Sequence, residues 1–253
     1  MSQYLLLTLG GLLFGAMVYR YDMHEREPWW MLLLAVAGGA LLMAGAFFVE
    51  ESLLIAAYNH DPGRDYLLLH ALLAGTIEES AKLLVVVAAL VLVRRHFNDP
   101  MDGLIYGSMA GLGAALFEAV WYQVHDYQTA AAPLAQTAGT NAVRFLMHTI
   151  WGGSGGFALG LIVMKRPWRL SLMQSMGCVM ALHAGWDYFV GFVEEQGNLQ
   201  RLIAAVLLGT SVVWYGGQVV KANKWSREMH APTSKKRLVG RFVKGLITRR
   251  FGR

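Results

Sequence analysis

The chain has 253 residues, 55% of them hydrophobic and 15% charged, with a formal net charge of +5. A soluble domain carries nearer a quarter charged residues, and here the apolar residues fall in long blocks, so the class is a polytopic membrane protein rather than a soluble enzyme. Half of the 22 Lys and Arg residues follow Val220, so the positive charge belongs to the tail and does not argue for a nucleic-acid partner.

Seven apolar spans are predicted, at 4–19, 29–49, 66–93, 101–125, 142–164, 170–193 and 199–219. The first has neither a basic n-region nor a small-x-small cleavage site, so it reads as a retained span and not as a signal peptide. Alternate connections carry Arg20 and Arg26, then Arg94 and Arg95, then Lys165, Arg166 and Arg169, then the basic tail. The intervening ones carry only Arg64 and Arg201. Positive charge marks the cytoplasmic side, which puts the N-terminus outside and the C-terminus in the cytoplasm. The expected fold is an all-α bundle of about seven transmembrane helices over residues 1–220. A basic cytoplasmic tail follows at 221–253. Within it Leu238, Val239, Phe242, Val243, Leu246 and Ile247 recur at helical spacing among Arg and Lys. That pattern predicts an amphipathic helix lying on anionic lipid headgroups.

Polar residues inside the spans carry the functional reading. At the outer end of span two, Glu50 and Glu51 read as interfacial, as does His70 at the start of span three. Span three holds Glu78, Glu79 and Lys82 in its middle; span four holds Glu118, span five Arg144 and His148, and span six His183 and Asp187. The ladders Gly103, Gly107, Gly111 and Gly152, Gly156, Gly160 predict close backbone packing, with spans four and five central. Spans two and seven look peripheral.

Charges in hydrocarbon cost from about 2.5 to more than 10 kcal/mol, so they require partners and mark function. Glu78 and Lys82 share a helix face by their spacing of four, as do His183 and Asp187. At about 1.5 Å per residue Glu78 lies about 18 Å inward from the outer end of its span, and the other groups about 9 to 15 Å inward. They therefore form one constellation in the outer half of the bilayer. A carboxylate pair beside a lysine is an acid–base device that can take a proton from water, with histidines to orient the water or stabilise an oxyanion. No serine or cysteine nucleophile is arranged for an acyl-enzyme; Cys178 lies alone in an apolar block. His148, His183 and a Glu can equally hold zinc, although the H-E-x-x-H pattern is absent. A proton-coupled transporter and a non-catalytic scaffold are the competing readings.

Glu78-Glu79-x-x-Lys82 resembles the EExxK motif of the PrsW-type intramembrane proteases, relatives of the CAAX proteases and Aph-type membrane proteins. Glu25-Arg26-Glu27-Pro28 resembles the family's acidic-proline lead-in. Glu118 with Tyr122 resembles FxxxE, Arg144-x-x-x-His148 the third motif, and His183-x-x-x-Asp187 the HxxxD motif. The chain departs at Ala114, where the family has an aromatic, and Phe117 stands nearby. The resemblance implies a membrane-embedded protease of the bacterial cytoplasmic membrane. Glu78 and Glu79 would be the general base and its partner, His148 and His183 would orient water and bind the oxyanion, and Glu118, Asp187, Lys82 and Arg144 would support them. It implies a membrane-anchored protein substrate of the anti-sigma-factor kind, cut on the extracytoplasmic side. No cofactor is required by this reading, and zinc stays open.

Overall fold

The computed structural model describes residues 3–21, 23–125, 132–166, 170–191 and 197–230. Among them every regular element is helical: α1 (Gln3–Tyr21), α2 (Trp29–His60), α3 (Leu67–Leu92), α4 (Pro100–His125), α5 (Leu134–Val163), α6 (Leu172–Trp186) with a π-helical turn (Asp187–Gly191), and α7 (Asn198–His230). Five of these, α1, α2, α4, α5 and α7, are long and apolar enough to cross a membrane by length and composition. The other two depart from a simple span for visible reasons. In α3, 26 residues long, three ionisable side chains occupy the middle. With only 15 residues, α6 is extended by the five of the π turn.

Three boundaries differ from the hydropathy reading. α2 runs on to His60 instead of stopping at residue 49, α5 starts at Leu134 instead of 142, and α7 continues to His230 instead of 219. Backbone hydrogen bonding carries a helix through polar residues at the interface, whereas hydropathy sees only where the apolar run stops. The first ten residues of the expected tail thus belong to α7. The expected amphipathic helix at 237–253 lies outside the described residues.

Helix starts follow local chemistry. Ser171 caps α6 through a reciprocal box: its Oγ accepts from Gln174 N at 3.2 Å, and Gln174 Oε1 accepts from Ser171 N at 2.9 Å. Pro100 opens α4 at the first helical position, where a missing N–H costs nothing. Just before it, Asp102 Oδ2 accepts from the backbone of Asn98 at 2.6 Å and of Asp99 at 2.7 Å.

Helix α4 is the hub, touching α1, α2, α3, α5 and α7. Its closest partner is α5, and the two backbones meet along the glycine ladders. A Cβ on Gly103 would strike the carbonyl of Gly156, on Gly107 that of Gly152, and on Gly111 that of His148. The last contact ties the ladder to a candidate site residue. We expect Gly111→Ala to cost about 1–3 kcal/mol by overpacking, read as a lowered thermal unfolding midpoint in detergent. An unchanged midpoint would show that α5 yields freely there.

The acidic-proline segment has a structural use at the α4 N-terminal end. Tyr106 Oη donates to Glu27 Oε2 at 2.5 Å, Asn98 Nδ2 donates to Glu25 Oε1 at 3.0 Å, and His230 Nε2 lies 2.5 Å from Glu25 Oε2. Ser226 Oγ donates to Asp99 Oδ2 at 2.6 Å. These bonds clasp the α1–α2 connection, the start of α4 and the end of α7 together, roughly 24 Å along α4 from Glu118.

Candidate active site

Four helices bring the predicted residues to one place. α3 supplies Glu78, Glu79 and Lys82, all 4% exposed or less, and α5 and α6 supply His148 and His183, also buried. Glycine makes this approach possible on α3: a Cβ on Gly75 would sit 2.6 Å from the carbonyl of Met180 on α6. The crossing therefore lets Glu79, one turn further along α3, reach His183.

Each imidazole is held by one carboxylate on its far nitrogen. His183 Nδ1 lies 2.7 Å from Glu79 Oε1, and an ionised carboxylate only accepts, so Nδ1 carries the proton. His148 Nε2 lies 2.8 Å from Glu118 Oε2, in a close contact bent away from ideal hydrogen-bond alignment. The remaining nitrogens turn toward Glu78: His183 Nε2 at 3.6 Å and His148 Nδ1 at 4.0 Å from its Oε2. Both Glu78 Oε2 and His148 Nδ1 are buried without a hydrogen-bond partner. With each ring protonated on its carboxylate side, Glu78 Oε2, His148 Nδ1 and His183 Nε2 face one another as acceptors, with no hydrogen bond among the described residues to the first two.

The supporting charges are paired. Lys82 Nζ lies 2.5 Å from Glu79 Oε1 and only 3.9 Å from Glu78 Oε2. Its principal partner is therefore the residue three positions back, not the one four back that spacing favoured, because the long lysine stem reaches either neighbour on the face. Arg144 Nε lies 3.2 Å from Glu118 Oε1, Arg144 donates to Asn141 Oδ1 at 2.5 Å, and its guanidinium sits 5.1 Å from the Tyr122 ring centroid. Asp187 opens the π turn, and its Oδ2 lies 3.4 Å from His183 Nε2. A π turn widens the helix locally and so re-aims the side chain at its start. At Ala114, the departure from the FxxxE pattern, the small side chain packs with Met43 and Ala46 of α2, while Phe117 fills the aromatic space against Phe47 and Trp121.

Two contributors were not legible as site residues. Trp151 stacks on His183 with ring centroids 4.6 Å apart and donates to Ser211 Oγ at 3.2 Å, flooring the site. Its position three residues after His148 was the available signal. The other is Glu50. Expected at the interface, it is 4% exposed, because α2 extends ten residues beyond it.

The donor set fits a divalent metal. Glu78, His148 and His183 offer ligand atoms within 4.8 Å of one another. Tetrahedral zinc, with bonds of about 2.0–2.2 Å, holds its ligands about 3.4 Å apart, so the 3.6 and 4.0 Å separations need only small closure. The outer carboxylates on both imidazoles are the arrangement that orients metal-binding histidines.

Residues 27–215 match the family described as PrsW family intramembrane metalloprotease. The chain belongs to the PrsW family. It is accordingly an integral membrane protein of an intramembrane protease family. The match runs from Glu27 in the clasp to Tyr215 in α7 and contains all eight predicted site residues. No curated protein and no solved structure matches the chain significantly.

Proposed function

We propose that the protein is an intramembrane endopeptidase that cuts membrane-anchored protein substrates near the extracytoplasmic side, with a divalent metal held by Glu78, His148 and His183. The observation that carries this reading is the meeting of three acceptor atoms with no donor between them, two of them buried and unpartnered. A cation relieves that arrangement; two neutral imidazoles and a carboxylate alone do not. Zinc suits the nitrogen and oxygen donors, and when bound it supplies a Lewis acid for the scissile carbonyl and acidifies water.

The chain's own residues do the rest. Glu79 accepts from His183 Nδ1 and is neutralised by Lys82, which fixes the ring. Glu118 holds the far side of His148 and is itself balanced by Arg144. Asp187, with an 18% exposed side chain, is more open than Glu78 at 6% and faces His183. It is the group we assign to receive the proton of the attacking water. Trp151 excludes solvent from below. The roles expected for Glu78 and Glu79 as base and partner thus shift to ligand and orienting carboxylate.

The alternation of Arg and Lys between connections supports seven spans with the N-terminus outside, which faces the site toward the outer leaflet. The resemblance to PrsW-type motifs supports an anti-sigma-factor-like substrate in a bacterial cytoplasmic membrane. The basic 237–253 segment supports contact with anionic headgroups. The test is cleavage of a single-pass substrate by the purified full chain in liposomes. A strong chelator should abolish cleavage, and added zinc should restore it. Chelator-resistant cleavage that still needs Glu78 would replace the metal with a glutamate-activated water.

A further inference from the structure

Glu50 is a buried carboxyl group near the site that the mechanism above leaves without a task. Gly39, Met43, Ala46 and Glu50 form one buried stripe of α2. Met43 and Ala46 pack with Ala114 of α4, and Ile77, Ala81 and Phe117 close the same cluster. One turn outward from that cluster, α2 presents Glu50 and α4 presents Glu118. On α3 the same level is reached by the pairing of antiparallel neighbours: Glu50 lies ten residues before the end of α2, and Glu78 eleven after the start of α3. By helical rise these are about 15 and 16 Å from the connection, so the two carboxylates are level.

The charged groups acting on Glu50 are those of the site: Lys82 and Glu78 of α3, Glu118 of α4, His183 of α6 and Asp187 of the π turn. The cations of the cluster are engaged elsewhere, Lys82 with Glu79 and Arg144 with Glu118. Glu50 Oε1 is buried and has no hydrogen-bond partner. Glu79 and Glu118 are each paired with a cation, and Glu78 and Asp187 both face the inner nitrogen of His183. Among the described residues Glu50 has neither kind of contact, and a buried carboxyl oxygen without a partner beside a reactive cluster calls for a functional account.

We infer that Glu50 is a catalytic proton donor, completed by the scissile peptide and delivering its proton to the leaving amide nitrogen. The inference rests on the hydrolytic reading above. In the step, water oxygen bonds to the carbonyl carbon while Asp187 takes the water proton. The C–N bond then breaks with its electron pair going to nitrogen, and the Glu50 O–H bond supplies the proton that makes the free amine. Asp187 releases its proton to solvent, and Glu50 takes one back, restoring both groups.

The experiment compares the wild-type full chain with Glu50→Gln and Glu50→Asp in liposomes, using a single-pass substrate, across pH. Glu50→Gln should lower kcat about 100-fold, with KM little changed. It should also flatten the alkaline limb of the rate profile, where loss of the donor proton limits the wild type. Glu50→Asp keeps an acid and should recover both rate and limb in part, an outcome that a merely structural carboxylate does not produce. The thermal unfolding midpoint of each variant separates folding from chemistry, and a Glu50→Gln that unfolds leaves Glu50→Asp to decide by its alkaline limb. Wild-type kcat and profile in Glu50→Gln would overturn the proposal, as would a rise in KM at unchanged kcat. If the wild type itself cleaves nothing, the protease reading fails and Glu50's role goes with it.

Discussion

Glu78→Gln should reduce substrate cleavage about 1,000-fold or more while leaving the fold intact. The substitution keeps the shape and one oxygen but removes the negative charge that faces both imidazoles, His183 Nε2 at 3.6 Å and His148 Nδ1 at 4.0 Å. On the proposed metal reading, losing a ligand that would both place the metal and balance its charge removes transition-state stabilisation, an effect of the size seen when a main electrostatic element is deleted. Compared metal-free, stability should hold or rise, because an amide brings N–H donors into a space that otherwise contains only acceptors. The decisive readings are turnover in liposomes, bound zinc per chain and the thermal midpoint. Turnover within tenfold of wild type would remove Glu78 from the mechanism, and unchanged zinc content would remove it from the ligand set.

Lys82→Met should be the most destabilising single change in the site, by about 3–5 kcal/mol, because it leaves a buried carboxylate without its cation. Lys82 is 2% exposed, and its Nζ lies 2.5 Å from Glu79 Oε1. The nearest other support for Glu79 is the single N–H of His183. Methionine matches the stem of lysine in volume, so the loss is of charge and not of packing. Adding Glu79→Gln should recover most of the midpoint, since the pair as a whole is replaced by uncharged groups. A double variant no more stable than Lys82→Met alone would mean that the cost lies in packing around the lysine stem.

Much of the site could be read from spacing because helices convert sequence distance into direction. The i,i+4 pair His183 and Asp187 meets at 3.4 Å, as a shared face requires. The convergence of α3, α4, α5 and α6 was argued from depth, and the side chains do meet. The individual depths, however, were measured from helix ends that hydropathy had misplaced. His148 lies fourteen residues from the start of α5, about 21 Å along the axis, where a start at 142 implied about 10 Å. Helices that overrun the apolar region make such counting unreliable from one end and harmless only in aggregate. Glu50 was lost for the same reason. Two adjacent glutamates after an apolar run read as a boundary, yet Glu51 is exposed while Glu50 is buried one step around the same helix. Periodicity of the stripe from Gly39 carried the information, and hydropathy alone did not. Which carboxylate holds which imidazole was beyond spacing altogether, since it depends on the glycine crossings that set how near the helices stand.

Those crossings also divide the molecule mechanically. At three levels, α4 and α5 present a bare α-carbon to the opposite carbonyl, so neither helix can slide by less than a full turn without a collision. Parting them forfeits every one of these contacts together. Glu118 and His148, which ride on this pair, therefore form a fixed jaw. Glu50, Glu78, Glu79, His183 and Asp187 ride on the helices around it. On the proposed hydrolytic reading, a substrate strand admitted to the bundle would be accommodated by these outer helices and not by the α4–α5 pair.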